Sequence, residues 1–223
     1  MTDNFRKLLG NKRAYIFDLD GTIADTERIQ WEAHNLVLKK RFGIEVDIEH
    51  IYTYLGKPEE VFLPEIEKDY NINIGGDKGK GYEKYSKERS KIAEKLVLSK
   101  SEPFKFMREV LEDTFGITIF LVSAQSRSVI KKMIKAWNLG GYFSDVNTFI
   151  VEGNKTKPYY YDYIFKNILK NADGQDVILF EDVNKYILEG KKRGFVTVGI
   201  DNGFGNEKLE ANFVIDAKNN IMP

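Results

Sequence analysis

Apolar positions along this 223-residue chain follow two different patterns. Between residues 26 and 98 they recur at three- and four-residue spacing, which is typical of amphipathic helices. That spacing predicts helices at residues 26–42, from residue 58 onward and at residues 82–98. From residue 101 the pattern changes, and short apolar runs alternate with further helical stretches, the first of which is predicted at residues 101–115. Strands are predicted at residues 14–17, 117–122, 148–151, 177–180, 195–200 and 213–215.

This order of elements predicts an α/β fold. Strands that alternate with helices form a doubly wound parallel sheet of the Rossmann-like type, with helices on both faces. The all-helical stretch interrupts this pattern after the first strand, so it reads as an insertion. We therefore expect an α/β core domain of residues 1–24 and 99–223, and an all-helical domain of residues 25–98.

Composition favours a small soluble ligand. Lys+Arg and Asp+Glu both number 34, so the formal net charge is zero and no basic surface for nucleic acid or membrane is indicated. The chain has no cysteine, which excludes disulfides and thiolate metal sites. His34 and His50 are its two histidines, too few to favour a zinc site or a Ser-His-Asp triad.

The chain shows no targeting or membrane segment. Its first 13 residues lack the continuous apolar run of a signal peptide, and no later stretch has the apolar length of a membrane span. We expect a cytoplasmic protein, a monomer or weak homodimer, that binds neither nucleic acid nor membrane.

The strongest candidate for chemistry follows the first predicted strand. Asp18 and Asp20 are one residue apart, so on an extended backbone both carboxylates point to the same side, and Gly21 allows a sharp turn beyond them. Two neighbouring carboxylates repel unless a proton or cation lies between them, and hard oxygen ligands suit Mg²⁺. A chance Asp-x-Asp in a surface turn is the alternative. The adjoining strand, the Gly-Thr pair and the following Asp25-Thr26-Glu27 argue against that alternative.

Two later strands also end in polar residues. Open parallel sheets bind ligands beyond the carboxyl ends of their strands. Ser123 ends one strand, and its hydroxyl together with the following backbone amides could bind a phosphoryl oxygen, although a serine before a helix is often only an N-cap. Glu181 and Asp182 end another strand, where the alternative is a pair of solvated charges on a loop.

These positions resemble the four motifs of the haloacid-dehalogenase-like (HAD) superfamily, most of whose members are Mg²⁺-dependent phosphotransferases. Residues 18–22, Asp-Leu-Asp-Gly-Thr, resemble the first motif, and Ser123 resembles the second. Lys157, next to Pro158, resembles the third, and Glu181 with Asp182 resembles the fourth. Lys155 is a competing lysine, but a proline at the first helical position fixes the start of the helix and favours Lys157.

The resemblance implies a role for each residue. Asp18 would attack phosphorus, Asp20 would act as general acid and base, and Lys157 would neutralise the nucleophile and the phosphoryl group. Mg²⁺ would be held by Asp18, Asp182, Glu181 and the backbone carbonyl of Asp20. The expected activity is hydrolysis of a small phosphomonoester through an aspartyl-phosphate.

The resemblance also interprets the insertion as a C1 helical cap of the phosphoglycolate phosphatase and β-phosphoglucomutase subgroup. Arg28, Gln30, Tyr54 and Lys57 are its candidates to face a substrate. The mutases of that subgroup carry a histidine and an arginine where this chain has Gln30 and Glu59, which favours a phosphatase. A mutase-like phosphotransferase and a catalytically silent phospho-acceptor or binding protein remain alternatives. Relatives often have Ser and Gly where this chain has Val183 and Tyr186, which leaves the loop conformation there open.

Overall fold

The computed structural model describes residues 2–55, 57, 59–76, 79–114, 116–205 and 208–219. The chain divides into two compact units. One, here called the α/β unit, comprises Met1–Asp25, Glu102–Gly203 and Glu207–Pro223. The other, here called the helical unit, comprises Thr26–Ser101 and Phe204–Asn206.

The α/β unit is built on one six-stranded sheet in the order β3-β2-β1-β4-β5-β6. Every neighbouring pair of strands is parallel. The strands are β1 Ala14–Phe17, β2 Thr118–Ser123, β3 Thr148–Ile150, β4 Val177–Glu181, β5 Val196–Asp201 and β6 Phe213–Asp216. The helices of this unit are α1 Asp3–Gly10, α6 Lys105–Glu112, α7 Arg127–Ala136, α8 Lys157–Tyr163 and α9 Asn184–Lys192.

The strand order reverses direction at β1. The chain passes from β1 outward to β2 and β3, and then returns to add β4, β5 and β6 on the other side. Because parallel crossovers are right-handed, the two halves place their helices on opposite faces of the sheet. The predicted doubly wound parallel fold is therefore confirmed. The point of reversal, between β1 and its neighbours, is where such sheets bind ligands.

The sheet core is apolar on both faces. All four residues of β1 and all five of β4 are buried, as expected for central strands covered by helices. Phe17 and Phe180 stack with their ring centroids 4.6 Å apart, and the edge of the Tyr15 ring packs against Phe180. These contacts fix β1 against β4 directly below the residues that follow each strand.

Several helices differ from the sequence prediction. The helix predicted at residues 101–115 begins only at Lys105, because Pro103 pairs with Ala24 and the Phe104 amide donates to the Ile23 carbonyl. Residue 115 lies outside the described residues. Two short helices were not predicted, namely α1 and α3, which spans Ile48–Tyr54. Their N-cap side chains, Thr2 and Asp47, each accept a backbone hydrogen bond from three residues ahead, which is the sequence signal for both.

The helical unit also contains α2 Glu27–Phe42, α4 Glu59–Tyr70 and α5 Lys80–Lys100. Residue 58, the predicted start of a helix, lies outside the described residues. Trp31, Phe62 and Tyr85 form part of an apolar core together with Tyr54, whose hydroxyl donates to Asp69 at 2.5 Å. Tyr54 is thus a core residue of this unit, which does not support its candidacy for facing a substrate. No helix among the described residues is both long and apolar enough to cross a membrane.

Candidate active site

The carboxyl ends of β1 and β4 bring three carboxylates together. Phe17 is in register with Phe180, so the next residues, Asp18 and Glu181, lie side by side, and the Asp18 amide donates to the Phe180 carbonyl at 3.1 Å. Asp182 follows directly. Each of Asp18, Glu181 and Asp182 offers a carboxylate oxygen, and the three oxygens lie within 4.8 Å of one another. Parallel pairing of two strands far apart in sequence therefore builds the cluster.

Lys157 supplies a positive charge to this cluster. It is the first residue of α8, after the N-cap Thr156, so the helix begins one residue before Pro158, the predicted first position. Its Nζ lies 2.8 Å from Asp18 Oδ1 and 3.0 Å from each carboxylate oxygen of Glu181. Burial alone would lower the pKa of the Lys157 ammonium, but the carboxylates of Asp18 and Glu181 outweigh it and raise that pKa. Lys157 is therefore positively charged at neutral pH.

Lys155 is placed differently. Its side chain is exposed, and its Nζ lies 5.7 Å from the centroid of the Tyr159 ring on the surface. The two competing lysines thus separate clearly, because only the side chain that precedes Pro158 points into the carboxylate cluster.

Position 21 requires a glycine, both because of its backbone conformation and because neighbouring atoms leave no room for a Cβ. Its φ is +76°, a region that favours glycine, and a Cβ there would lie 2.0 Å from Asp182 Oδ2. The adjacent Thr22 is fully buried, and its hydroxyl donates to Asp182 Oδ1 at 3.2 Å. The Gly-Thr pair therefore does more than turn the chain, since it lets the loop after β1 close against Asp182.

Asn202 is a residue of the site that the sequence analysis did not find. It is buried after the end of β5, and its amide nitrogen donates to Asp182 Oδ2 at 3.2 Å and to the Gly21 carbonyl at 3.1 Å. It thus ties Asp182 to the loop after β1. Asn202 directly follows β5, so the rule that ligand-binding residues follow parallel strands is a sequence signal for it.

Asp20 and Ser123 lie at the same edge of the sheet. The half-buried Asp20 forms a bridge pair with Ala24, and its carboxylate is not one of the three in the cluster. The Ser123 hydroxyl is buried at the end of β2 and accepts a hydrogen bond from the Gln125 amide at 3.0 Å. Ser126, not Ser123, occupies the N-cap position of α7. The hydrogen of the Ser123 hydroxyl is not used in the Gln125 bond and can be donated to a ligand.

The loop that follows Asp182 is held by contacts on both of its sides. The Val183 amide donates a hydrogen bond to Glu181 Oε1 at 3.4 Å. Asn184 begins α9 and is held by Glu210, whose amide donates to Asn184 Oδ1 at 2.8 Å. The loop after Asp182 is therefore anchored by contacts to Glu181 and Glu210.

The residues of this cluster fit a divalent cation. Three carboxylates face one ammonium, which leaves two formal negative charges in a largely buried place. Uncompensated buried charge is costly, and carboxylate oxygens are the protein ligands that Mg²⁺ prefers. Burial and the neighbouring Asp18 carboxylate raise the pKa of Glu181 well above its usual range, as expected where negative charge is in excess.

Comparison with known proteins agrees with this geometry. Residues 15–200 match the model of the haloacid dehalogenase-like hydrolase family. A protein of Caldanaerobacter subterraneus provisionally named pyrophosphatase PpaX is 26% identical over 192 residues, which are 84% of this chain and 80% of that protein.

Solved structures show the same fold. A Haemophilus somnus protein provisionally assigned as a phosphoglycolate phosphatase aligns with a TM-score of 0.75 at 15% identity, over 92% of this chain and 94% of its own. A Thermotoga maritima protein provisionally assigned as a β-phosphoglucomutase aligns with a TM-score of 0.70 at 21% identity, over 92% and 95%. The family match includes Asp18, Lys157, Glu181 and Asp182. As its sequence motifs predict, the chain belongs to the haloacid dehalogenase-like hydrolase family and is an enzyme of that hydrolase class.

Proposed function

We propose that this protein is a Mg²⁺-dependent phosphatase that hydrolyses a small phosphomonoester through an aspartyl-phosphate. The observation that supports this most is the meeting of Asp18, Glu181, Asp182 and Lys157 at the ends of β1 and β4. Family membership and the phosphatase names among its relatives point the same way.

The reaction would proceed in two steps. A carboxylate oxygen of Asp18 attacks the substrate phosphorus as the bond to the leaving oxygen breaks, and Asp20 gives its proton to that oxygen. Asp20 then takes a proton from water, whose oxygen attacks the phosphorus of the aspartyl-phosphate and releases inorganic phosphate. Lys157, fixed beside Asp18, offsets the repulsion between an anionic nucleophile and a phosphate dianion. The Ser123 hydroxyl would donate to a phosphoryl oxygen.

Asp18, Glu181 and Asp182, with the backbone carbonyl of Asp20, would hold Mg²⁺. The ion would supply positive charge that orients the phosphate and offsets negative charge as it develops. Thr22 and Asn202 hold the two carboxylate oxygens of Asp182 and so define the position of that ligand. Outer hydrogen bonds of this kind orient metal ligands.

The helical domain, residues 25–98, would serve as the cap that selects the leaving group and excludes water from the reaction. A phosphatase is preferred to a mutase because this chain has Gln30 and Glu59 where the mutases carry a histidine and an arginine. Gln30 accepts from Arg89 at 2.9 Å, and Glu59 forms an ion pair with the same arginine. The names of its relatives suggest testing pyrophosphate, phosphoglycolate and sugar phosphates as substrates.

Release of phosphate from p-nitrophenyl phosphate tests the proposal. We expect turnover with MgCl₂, loss of turnover with EDTA, and a loss of about 10³-fold or more in Asp18→Asn, since the nucleophile is removed. A wild-type protein that folds and binds Mg²⁺ but releases no phosphate from any phosphomonoester in a panel would instead be a silent binding protein. Size-exclusion chromatography would test the expected monomer or weak homodimer, and localisation of a tagged chain the expected cytoplasmic site.

A further inference from the structure

Tyr186 lies against the lysine of the candidate site. It is the third residue of α9, three positions after Val183, and its side chain is half-buried. The centroid of its ring is 4.5 Å from the Nζ of Lys157. That distance is well inside the range of about 6 Å within which an ammonium is attracted to an aromatic face.

The surroundings of the ammonium explain what a ring contributes there. A lysine ammonium has three N–H donors, and three carboxylate oxygens face it, one from Asp18 and two from Glu181. The Tyr161 hydroxyl, which donates towards Glu181 at 3.4 Å, lies in the same buried group. The Tyr186 ring therefore lies over an ammonium that is already close to three carboxylate oxygens.

We propose that Tyr186 is a positioning residue for Lys157, holding its ammonium by a cation–π contact at the place where a phosphoryl group binds. This inference rests on the proposed phosphatase function. Lysine is a point charge on a flexible stem, so its position depends on what surrounds it. An aromatic face restrains the ammonium without taking up a hydrogen-bond donor.

A second lysine near the same ring offers a control. The Nζ of Lys185 lies 5.6 Å from the centroid of the Tyr186 ring, but its side chain is exposed. Cation–π contacts are weaker when the cation stays hydrated. Removing Lys185 therefore changes the ring's surroundings without touching the buried ammonium.

Three variants separate the ring from the hydroxyl and from the exposed lysine, namely Tyr186→Leu, Tyr186→Phe and Lys185→Met. Wild type and each variant would be compared in three measurements. The first is the NMR shift of the Lys157 CεH₂ protons, which an aromatic face moves upfield. The second is the dissociation constant of inorganic phosphate in MgCl₂ by calorimetry. The third is kcat and KM with p-nitrophenyl phosphate.

We expect Tyr186→Leu to lose the upfield shift, to weaken phosphate binding by about ten-fold and to lower kcat by a similar factor. Tyr186→Phe keeps an aromatic face and should keep the upfield shift and most of the affinity. Lys185→Met should match wild type in all three measurements. Melting temperatures would be recorded, and Tyr186→Met would replace the leucine variant if that variant did not fold.

Two outcomes would overturn the inference. One is a leucine variant whose phosphate affinity and kcat equal those of wild type. The other is a phenylalanine variant as impaired as the leucine variant, which would assign the effect to the hydroxyl. Failure of the proposed function looks different, because wild type itself would then release no phosphate while the NMR shift still reported whether the ring faces Lys157.

Discussion

Each unit of the molecule contains a partly buried group of charged and polar side chains, and the two groups differ in their balance of charge. In the helical unit, Glu59 pairs with Arg89 and accepts a hydrogen bond from the Ser86 hydroxyl. His34 Nδ1 lies 2.9 Å from the Tyr85 hydroxyl, and its Nε2 lies 3.7 Å from Glu59. One carboxylate here meets one guanidinium.

His34 adds no charge to that group at neutral pH. Burial, together with the nearby Arg89 guanidinium, lowers the pKa of His34 to about 3. The imidazole is therefore neutral, and the group is balanced. Such a network stabilises the packing of α2, α4 and α5 and leaves no requirement for a bound ion.

The group in the α/β unit is not balanced, since Asp18, Glu181 and Asp182 face a single ammonium. Burial of ionisable side chains is common to both groups and so does not distinguish a catalytic site from a structural one. An excess of like charge does distinguish the two kinds of site, because buried negative charge persists only where a cation or substrate offsets it. The following variants test that distinction.

Replacement of the expected acid and base should have the largest effect on the α/β group. Asp20→Asn should lower kcat by about 10²- to 10⁴-fold, since proton transfer to the leaving oxygen is lost. Mg²⁺ affinity, measured by calorimetry, should stay close to wild type, because the Asp20 carboxylate is not one of the three in the cluster. An unchanged kcat would remove Asp20 from its proposed role.

The two lysines should differ sharply. Lys157→Ala leaves Asp18 and Glu181 without their buried partner and should reduce kcat by about 10²-fold or more, with a loss of stability of about 3–5 kcal/mol. The matched control is Lys155→Ala, on the surface, which should change either quantity little. Steady-state kinetics and urea denaturation measure both, and the reverse ranking would show that the wrong lysine was chosen.

Asn202 should affect the metal more than the fold. Asn202→Leu removes the donor to Asp182 and should weaken Mg²⁺ binding by about 10- to 100-fold, as loss of an outer hydrogen bond to a metal ligand typically does. Asn219 offers a comparison, since it donates to Asp216 on the exposed surface. Asn219→Leu should bind Mg²⁺ as wild type does in calorimetry. Equal Mg²⁺ affinities in all three proteins would contradict the role given to Asn202.

The helical group should respond to pH rather than to metal. The pKa of His34 is lowered to about 3 in the folded protein, against about 6.5 in the unfolded chain. The unfolded chain therefore binds a proton first, and the free energy of unfolding falls as pH drops from about 6.5 towards 3. His34→Leu should therefore flatten the dependence of unfolding free energy on pH below about pH 6.5, by up to about 1.4 kcal/mol per pH unit. Urea denaturation at several pH values measures this dependence.

His50 provides the opposite case. It is exposed, and its hydrogen bond to Asp47 raises its pKa, so its contribution is present at low pH and is lost as pH rises through the raised value. His50→Gln should therefore not flatten the slope on the acidic side. A slope that falls equally in both variants would show that the acid sensitivity does not come from the buried histidine.

The parallel sheet and most site residues could be predicted from sequence for one reason. Apolar strands that end abruptly in Asp18, Ser123 and Glu181 mark the carboxyl edge of a parallel sheet, where the residues following different strands converge. The short helix α3 was harder to predict, because a seven-residue helix has little periodicity of its own and depends on its N-cap. The early end predicted for α5, which continues to Lys100, reflects the usual uncertainty at helix boundaries.

The sequence by itself determined the order of the strands, the family and the identity of the acids, because each of these lies in a local pattern of residues. Tertiary structure alone decided how those acids are surrounded. It placed Asn202 on Asp182 and the Tyr186 ring on Lys157, and it gave Gly21 a close neighbour in Asp182. These contacts join residues from different strands and helices, and the distance between two such side chains depends on strand register and helix packing. Neither strand register nor helix packing can be determined from the residues adjacent in sequence to either partner.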